Sequence, residues 1–247
     1  MSTPKTFHHP EPLRTMNERH RQKRQTFFRY TLALLRSIYF NFRMLPFRQA
    51  IHLPILVSHR TRLENLGGSI TIDAPCLRMG LIKIGFSTYQ QTNFHTDRTR
   101  LNLRGTIVFC GESDWGAGCA IEVAEDATLR LGNHSHIGPK TLIICHKGIT
   151  FGDYARCSWC CTFMDTDQHR LIDADGRWCN EDREIVLHDH VWIGCHVVVA
   201  KGTQLSPFTT VGTGSIVFGK HQEERTVLAG NPAVVIKHGL VREDYIN

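Results

Sequence analysis

Residues 185–217 read IVLHDHVWIGCHVVVAKGTQLSPFTTVGTGSIV, and an apolar residue returns at every sixth position of this stretch. The six positions are Leu187, Ile193, Val199, Leu205, Val211 and Val217. A period of six matches neither the 3.6 residues of a helical turn nor the alternation of a simple strand. It predicts a chain wound into a triangular parallel β-helix, with one short strand per face and one core side chain per strand. Gly194 and Gly212 follow inward positions, where a side chain would crowd the corner.

The same period extends over most of the chain. It is irregular from Gly67, is interrupted over 86–104 by a predicted loop, and then runs through Phe109, Trp115 and Ile121 to Phe163. A polar stretch at 166–184 interrupts the repeats and predicts a loop that projects from the coil, and long loops of this kind are often functional. We therefore divide the chain into four predicted parts. They are a disordered N-terminus (1–16), a basic helix and connector (17–66), the β-helix (67–228) and a C-terminal tail (229–247).

The positive charge is concentrated at the N-terminus. The 247 residues carry a net charge of +6, of which residues 1–48 contribute +8 and the remainder −2. Within 17–47 the apolar pattern predicts an amphipathic helix that ends before Pro46, and Arg29, Arg36 and Arg43 form a basic stripe along it. The helix either packs on the end of the β-helix or on another subunit, or it rests on an anionic membrane surface. No recognised nucleic-acid-binding module accompanies the charge.

The nine cysteines are an odd number and most are scattered. Residues 1–18 are polar and lack an apolar run, so we expect no secretory signal, a reducing cytoplasm and free thiols packed as small apolar residues. Peripheral contact with the inner face of the membrane is compatible with this location. Cys157 and Cys160 have the spacing of half a zinc site, but no second pair accompanies them, so we expect no structural metal.

Four motifs show a resemblance to a known family. They are Ile149-Thr150-Phe151-Gly152-Asp153, Asp165-Thr166-Asp167-Gln168-His169, Val191-Trp192-Ile193-Gly194 and Ala229-Gly230-Asn231-Pro232-Ala233. With them the chain resembles the left-handed β-helix (hexapeptide-repeat) acyltransferases. The similarity is to the sugar O-acetyltransferase branch, which includes maltose and galactoside acetyltransferases and the acetyltransferases of surface-polysaccharide gene clusters. The resemblance implies an all-β, left-handed coil and an acetyl-CoA-dependent transfer to a sugar hydroxyl.

The resemblance also implies a catalytic base. An alcohol is a poor nucleophile until its proton is removed, and histidine ionises near neutral pH, which suits that task. His169 stands where related sugar acetyltransferases have their catalytic histidine. Asp165 or Asp167 could hold its imidazole in the required tautomer, as the carboxylate does in a catalytic triad, and the sequence leaves the choice between them open.

The same resemblance implies a cofactor site between neighbouring subunits of a homotrimer. Cys195, Thr213 and Gly214 match positions that contact the pantetheine arm of acetyl-CoA, and Lys237 matches a basic residue near the CoA phosphates, where a lysine serves as a point charge. Phe218-Gly219 stands where the family has a Thr-Lys pair, so Lys220 is the substitute candidate. Trp192 either forms a wall of the acetyl pocket or packs at the coil corner.

Three other functions remain as alternatives. The first is transfer to an amine of a nucleotide sugar, and the second is a non-catalytic β-helix that scaffolds a complex. The Asp-Thr-Asp-Gln-His segment and the Asn-Pro-Ala tail disfavour a scaffold, which needs neither. The third is the γ-type carbonic anhydrase, which shares the fold but binds zinc through paired histidines. Those ligand spacings are not reproduced by His134/His136 or His188/His190.

Overall fold

A computed structural model describes residues 31–87, 92–93 and 96–243 of the chain. In these residues the strands form three sheets, and the chain visits the three sheets in turn, so that three successive strands make one coil. All ladders between coils are parallel, and only the last pair, β22 and β23, is antiparallel. The predicted left-handed β-helix with an N-terminal helix is confirmed.

The first sheet consists of β1 (Ile55–Val57), β4 (Ile82–Ser87), β7 (Ser113–Gly116), β10 (Ser135–Ile137), β13 (Arg156–Cys157), β16 (Trp192–Ile193), β19 (Thr210–Val211), β22 (Val227–Gly230) and β23 (Ala233–Lys237). The second consists of β2 (Arg62–Leu66), β5 (Arg100–Leu103), β8 (Ala120–Val123), β11 (Leu142–Cys145), β14 (Thr162–Met164), β17 (Val198–Ala200) and β20 (Ile216–Val217). The third consists of β3 (Ser69–Ile72), β6 (Thr106–Phe109), β9 (Thr128–Leu131), β12 (Gly148–Phe151), β15 (Ile185–Leu187), β18 (Gln204–Leu205) and β21 (Lys220–His221).

The core is a set of apolar ladders along the coil axis. Most strands point one or two residues inward, and these pair in register with the equivalent residues of the next coil. All six residues that defined the period in 185–217 are fully buried, with at most 1% of their surface exposed. Aromatic side chains also contribute to the core, where the Phe151 and Phe163 rings meet edge to face at 4.9 Å. This stacking buries apolar surface continuously, which is the main stabilising term of such a fold.

The corner between the third and first sheets carries a second ladder, made of rings. His134, Tyr154, His190 and Phe208 occupy equivalent corner positions in successive coils, and all four have a positive φ. Their centroids are 4.8, 5.0 and 4.6 Å apart in order. A left-handed backbone costs energy in residues other than glycine, and stacking of neighbouring rings offsets part of that cost.

The repeats begin earlier than the sequence boundary at Gly67. Strands β1 and β2 already pair with β4 and β5, so the first coil starts at Ile55. The predicted loop over 86–104 is also wrong in part, since β5 (Arg100–Leu103) lies within it and its Leu101 and Leu103 are buried. The predicted tail from residue 229 likewise begins inside β22. The apolar spacing in these coils is irregular because their corners differ in length, and a fixed period of six cannot detect them.

The N-terminal helix covers the open end of the first coil. Helix α1 occupies residues 31–44 of the described chain and ends before Pro46, and the short α2 (Phe47–Ala50) follows. Asn41 accepts a hydrogen bond from Ile55 N (3.1 Å) and donates one to Ile55 O (2.6 Å), while Ser37 Oγ accepts from Val57 N. These polar side chains satisfy the backbone groups at the free edge of β1, which would otherwise be exposed for pairing. The predicted packing on the β-helix end is therefore confirmed.

The opposite face of this N-terminal segment is apolar and exposed. Leu35 and Phe47 each expose 70% of their surface, and Tyr39, Phe42 and Ile51 lie on the same exposed side. Of the predicted basic stripe, Arg36 bonds to the His59 carbonyl (2.8 Å) and Arg43 is exposed, whereas Arg29 and residues 17–30 of the predicted helix lie outside the described residues. Among the described helices, none combines the length and the apolar character that crossing a membrane requires.

The nine cysteines, all within the described residues, are free thiols. Cys119, Cys145, Cys157 and Cys161 are buried at coil corners or in strands, as expected for small apolar residues. Burial raises the pKa of the Cys119 thiol to about 12, and it also raises the pKa of Cys145. Such thiols remain protonated and unreactive near neutral pH.

Candidate active-site loop and cofactor corner

Asp165 closes the base of the loop that interrupts the repeats. Its side chain is fully buried, and its two oxygens accept hydrogen bonds from the backbone N–H groups of His146 (2.7 Å), Lys147 (2.9 Å) and Gly148 (2.7 Å). Its carbonyl oxygen accepts a bond from Arg183 N at 3.0 Å, where the chain returns to the coil. A carboxylate that satisfies three orphan donors of a tight corner ties the loop ends to the preceding coil.

Asp167 and Asn180 hold the loop from inside. The Asp167 carboxylate accepts bonds from Asn180 Nδ2 (2.8 Å) and Lys201 Nζ (2.5 Å). The Lys201 ammonium, followed by the Asn180 amide, lowers the pKa of Asp167 below its usual value. Lys201 Nζ also donates to the Asn180 carbonyl (2.8 Å), and only 12% of the Lys201 side chain is exposed. The three residues therefore join the outgoing and returning arms of the loop to the next coil.

The outer part of the loop is a small hairpin. Ile172 and Trp178 form an antiparallel bridge, and the turn between them is stabilised by Asp173, whose Oδ1 accepts bonds from the backbone N–H groups of Asp175 and Arg177 (both 2.9 Å). The Arg170 guanidinium lies 4.5 Å from the centre of the Trp178 ring. The predicted projecting loop is thus an ordered excursion with its own hydrogen bonds.

His169 lies at the mouth of this loop. Its backbone is held on both sides, since its N–H donates to Asp167 O (2.7 Å) and its carbonyl accepts from Asn180 Nδ2 (2.8 Å). The imidazole itself is exposed and makes no hydrogen bond or ion pair with another described residue. Neither Asp165 nor Asp167 contacts it, because both carboxylates are engaged elsewhere. The loop therefore fixes the backbone of His169 and leaves the imidazole ring facing outward.

The candidate cofactor residues share a corner between the first and second sheets. Cys195 Sγ lies 3.5 Å from Thr213 Oγ1, and Gly214 N donates to Cys195 O at 2.9 Å, so the three residues stack in adjacent coils. Gly214 has a φ of +73°. A Cβ at Gly194 would lie 2.8 Å from both Thr213 N and Val211 O, so only glycine fits where the coils approach. The corner therefore offers a smooth backbone surface.

The other cofactor candidates lie on different surfaces. Trp192 stands on the outward side of the first sheet, where the Arg242 guanidinium lies 5.0 Å from the centre of its ring. Lys237 ends β23 at the edge of the same sheet. Lys220 belongs to β21 of the third sheet, beyond the next corner, so the structure does not bring it to the Cys195–Thr213–Gly214 corner.

The sequence reading missed Asn180 and Lys201. The period of the repeats could have indicated Lys201. Met164 pairs with Ala200, so the residues that follow them, Asp165 and Lys201, occupy equivalent places in adjacent coils. Asn180 carries no such signal, since its contacts depend on the fold of the hairpin. Among the described residues, no group of three or more His, Cys, Asp or Glu side chains is arranged to hold a metal ion.

Comparisons with known proteins support the family. A 24.8 kDa protein of the cps region of Klebsiella pneumoniae is 28% identical over 199 residues, covering 81% of this chain and 86% of its own. Galactoside O-acetyltransferase of Lactococcus lactis is 24% identical, with coverage of 67% and 69%. WcaF of Escherichia coli, named as a colanic acid biosynthesis acetyltransferase, is 29% identical, with coverage of 50% and 66%. No family profile matches the chain.

The chain is an acyltransferase that resembles the hexapeptide-repeat sugar acetyltransferases. The family resemblance read from the four motifs is therefore confirmed, and so is the expectation of an enzyme. Acyl-CoA is the co-substrate that this identification implies. The roles of the individual site residues in this acyltransferase stay predictions, and the contacts of each residue suggest the substitution that tests it.

Replacing Asp165 by Asn should destabilise this acyltransferase. The amide presents one acceptor oxygen and one NH2 group to three buried N–H donors, so at least one donor loses its partner, at a cost of about 1–3 kcal/mol. We expect a lower urea midpoint at fixed protein concentration. Asp173→Asn is the matched control, because its carboxylate accepts two N–H bonds at an exposed turn, and we expect a change within about 0.5 kcal/mol. Equal effects of the two substitutions would contradict the assigned role of Asp165.

Proposed function

We propose that this acyltransferase transfers the acetyl group of acetyl-CoA to a sugar hydroxyl of a surface polysaccharide or of its lipid-linked precursor. The loop that carries His169 is the observation on which the proposal depends. A scaffold has no use for a histidine whose backbone is held by Asn180 and Asp167 while its ring is left exposed. Relatives named for galactoside O-acetylation and for colanic acid biosynthesis support the acceptor class.

His169 is the proposed general base. Its imidazole takes the proton of the acceptor hydroxyl as the oxygen attacks the thioester carbonyl. The tetrahedral intermediate then collapses, the C–S bond breaks, and the imidazolium returns the proton to the departing thiolate, so the products are an acetyl ester and free CoA. The polar groups that hold His169 act on its backbone, and we propose Asp167, through Asn180, as the carboxylate that positions it. Asp165 supports the same residue indirectly by closing the loop base.

The corner at Cys195, Thr213 and Gly214 is the proposed site of the pantetheine arm. A chain of amides pairs best with exposed backbone groups, and the small residues here leave them accessible. Lys237 is the proposed phosphate contact, and Lys220 is the weaker candidate because it belongs to the third sheet. Trp192 borders this region on the first sheet.

A homotrimer is the proposed assembly. The exposed imidazole of His169 lies on the loop that follows strand β14 of the second sheet. Trp192 lies on strand β16 of the first sheet, and the cofactor corner at Cys195 follows that strand. One chain therefore presents two partial sites on different sides of the prism. A neighbouring subunit would bring the His169 loop of one chain to the corner of the next, which is the arrangement that the family resemblance implies.

His169→Ala should lower turnover by about 10²–10⁴-fold, the usual loss when a general base is removed. Acetyl-CoA affinity should change little, because the proposed cofactor contacts are on the coil corner. The measurement is free thiol released from acetyl-CoA, with hydroxyl acceptors and amine acceptors in parallel.

His188→Ala is the control for this substitution, because His188 is also exposed but lies at a coil corner outside the loop. It should keep nearly full activity. If His169→Ala retains more than about a tenth of the rate, which is more than loss of a base permits, His169 is not the base and His146 or His190 becomes the next candidate. Transfer only to amines would replace the O-acetyltransferase proposal with N-acetylation.

Mixed oligomers test whether two chains share a site. His169→Ala removes the proposed base, and Thr213→Trp should block the proposed cofactor corner with a large side chain. Each variant alone should be inactive, whereas co-expressed variants should recover activity in about a quarter of their sites by random mixing within a cyclic oligomer. Mixing His169→Ala with His169→Asn should restore nothing. No recovery in the first mixture, or a monomeric mass by light scattering with full turnover, would contradict the trimer.

The exposed apolar face of the N-terminal segment is the proposed contact with an anionic membrane surface. Leu35, Tyr39 and Phe42 present apolar side chains, and Arg43 and Arg48 are exposed beside them. Apolar burial combined with attraction to anionic headgroups is how interfacial helices bind. This contact would bring a cytoplasmic enzyme, as the nine free thiols favour, to a lipid-linked acceptor.

Leu35→Ser with Phe42→Ser should weaken co-sedimentation of the protein with vesicles containing phosphatidylglycerol, because two exposed apolar contacts are lost. Binding of the wild type should fall as salt increases. Ile172→Ser with Leu171→Ser, which removes exposed apolar residues of the catalytic loop, is the control and should leave sedimentation unchanged. Absence of wild-type binding, or an altered oligomer mass in the first variant without loss of vesicle binding, would assign this face to a subunit contact.

A further inference from the structure

A groove with a volume of about 530 Å³ runs along the outward side of the first sheet. Its floor is made of outward residues from successive strands, among them Lys83, Asp114, His136, Arg156 and Trp192. Ligand sites are usually concave and of this size, with a few polar groups that fix the orientation of the ligand. Of the groove residues, only Trp192 belongs to one of the four family motifs.

The groove floor is a register ladder. Lys83 pairs with Asp114, Asp114 with His136, His136 with Arg156, and Arg156 with Trp192. Neighbouring strands are about 4.8 Å apart, so four steps cover about 19 Å. This length suits an extended oligomer more than a single sugar ring. At its far end the Arg242 guanidinium stacks on the Trp192 ring.

The charges of the groove are positive in balance. Arg78, Lys83, Arg156 and Arg242 line it together with two carboxylates, Glu112 and Asp114. Glu112 is already engaged, because Arg78 bonds to it and His134 Nδ1 lies 3.3 Å from its Oε2. Lys83 and the arginines beside Trp192 therefore give the groove an affinity for anionic groups that its carboxylates offset only in part.

Asp114 contributes a hydrogen-bond acceptor to the groove. Its Oδ2 accepts a bond from Ser87 Oγ and lies 3.9 Å from His136 Nδ1, whereas its buried Oδ1 has no hydrogen-bond partner among the described residues. A buried carboxylate oxygen without a donor is uncommon. The Asp114 side chain is nevertheless 40% exposed to the groove, so the accessible part of its carboxylate can accept a hydroxyl donor from a ligand.

Burial favours the uncharged form of His136 beside this carboxylate. Burial lowers the pKa of His136, and the nearby Arg156 and Arg242 lower it further against the opposing effect of Asp114. A neutral imidazole both donates and accepts hydrogen bonds. The groove thus combines cations, a hydroxyl acceptor, a neutral imidazole and an aromatic face.

We propose that this groove binds an acidic glycan, a chain of sugars that carry carboxylates, and that it holds the acceptor of the transfer reaction. The cations along the ladder pair with the carboxylates of the glycan, Asp114 accepts a sugar hydroxyl, and Trp192 packs on a sugar face at the end near the cofactor corner. This inference rests on the proposed function and specifies its substrate class. The phosphates of CoA fit less well, because Glu112 and Asp114 would repel a dense polyanion.

Calorimetry with two tetrasaccharides tests the proposal. Tetragalacturonate carries four carboxylates, and maltotetraose is neutral and equal in chain length. The wild-type protein should bind the acidic chain at least about tenfold more tightly, with an affinity that falls as salt increases. Lys83→Gln with Arg156→Gln should remove most of this preference. Arg100→Gln with Arg130→Gln removes two exposed arginines from the second and third sheets, and this control should bind like the wild type.

Two further measurements separate this proposal from the function itself. His169→Ala should bind tetragalacturonate normally, because the groove does not include the loop. Thiol release on small neutral sugars tests the proposed function separately, and the Arg100/Arg130 variant, whose substitutions lie outside the groove, should retain it. Equal binding of the two tetrasaccharides, or an unchanged preference in the Lys83/Arg156 variant, would overturn the acidic-glycan groove while leaving acetyl transfer intact. Displacement of tetragalacturonate by CoA, with loss of CoA affinity in the variant, would assign the groove to the co-substrate instead.

Discussion

The structure depends on one repeated packing constraint: the inward apolar side chains of each coil must pack against the equivalent residues of the next coil. Leu187 above Phe151, and Ile193 above Cys157, are two rungs of these ladders. Because the strands are only two to six residues long, none is stable alone, and stability comes from contacts between neighbouring coils. The few polar residues inside the ladders are small and hydrogen-bonded, as Ser113 and Ser135 are to each other, and the candidate catalytic and cofactor residues lie on outward faces, corners and loops.

Corners and ends are where this constraint must be reconciled with backbone hydrogen bonding. Asp165 satisfies three N–H donors at the corner below the loop, and Asn41 satisfies the free edge of β1. Both residues are buried polar side chains with complete partners, which low dielectric surroundings strengthen. The first permits a long excursion to leave the coil without opening it. The Asn41 contacts let helix α1 cover the first strand of the β-helix while the other face of this helix stays apolar and exposed.

The regular outward ladders explain how one scaffold presents several binding surfaces. Residues of equal register lie about 4.8 Å apart along the axis, so the first sheet aligns Lys83 through Trp192 in one groove while the next corner aligns Cys195 with Thr213. These surfaces are rigid because the core fixes every strand. His169 is held only through its backbone, and its ring faces outward, which is the observation behind the proposed contribution of a neighbouring subunit.

The sequence by itself determined the fold class, the projecting loop and the family resemblance, because the period of six and the four motifs are local properties of the chain. It also located His169 in the loop and Cys195 beside Thr213, which lie one coil apart. Only the tertiary structure decided which partners the polar groups take. It engaged Asp165 with a coil corner and Asp167 with Lys201, and it aligned Lys83, Asp114, His136 and Arg156. Those residues are far apart in sequence, and coils of unequal length conceal their register, so their contacts exist only once the coils are stacked.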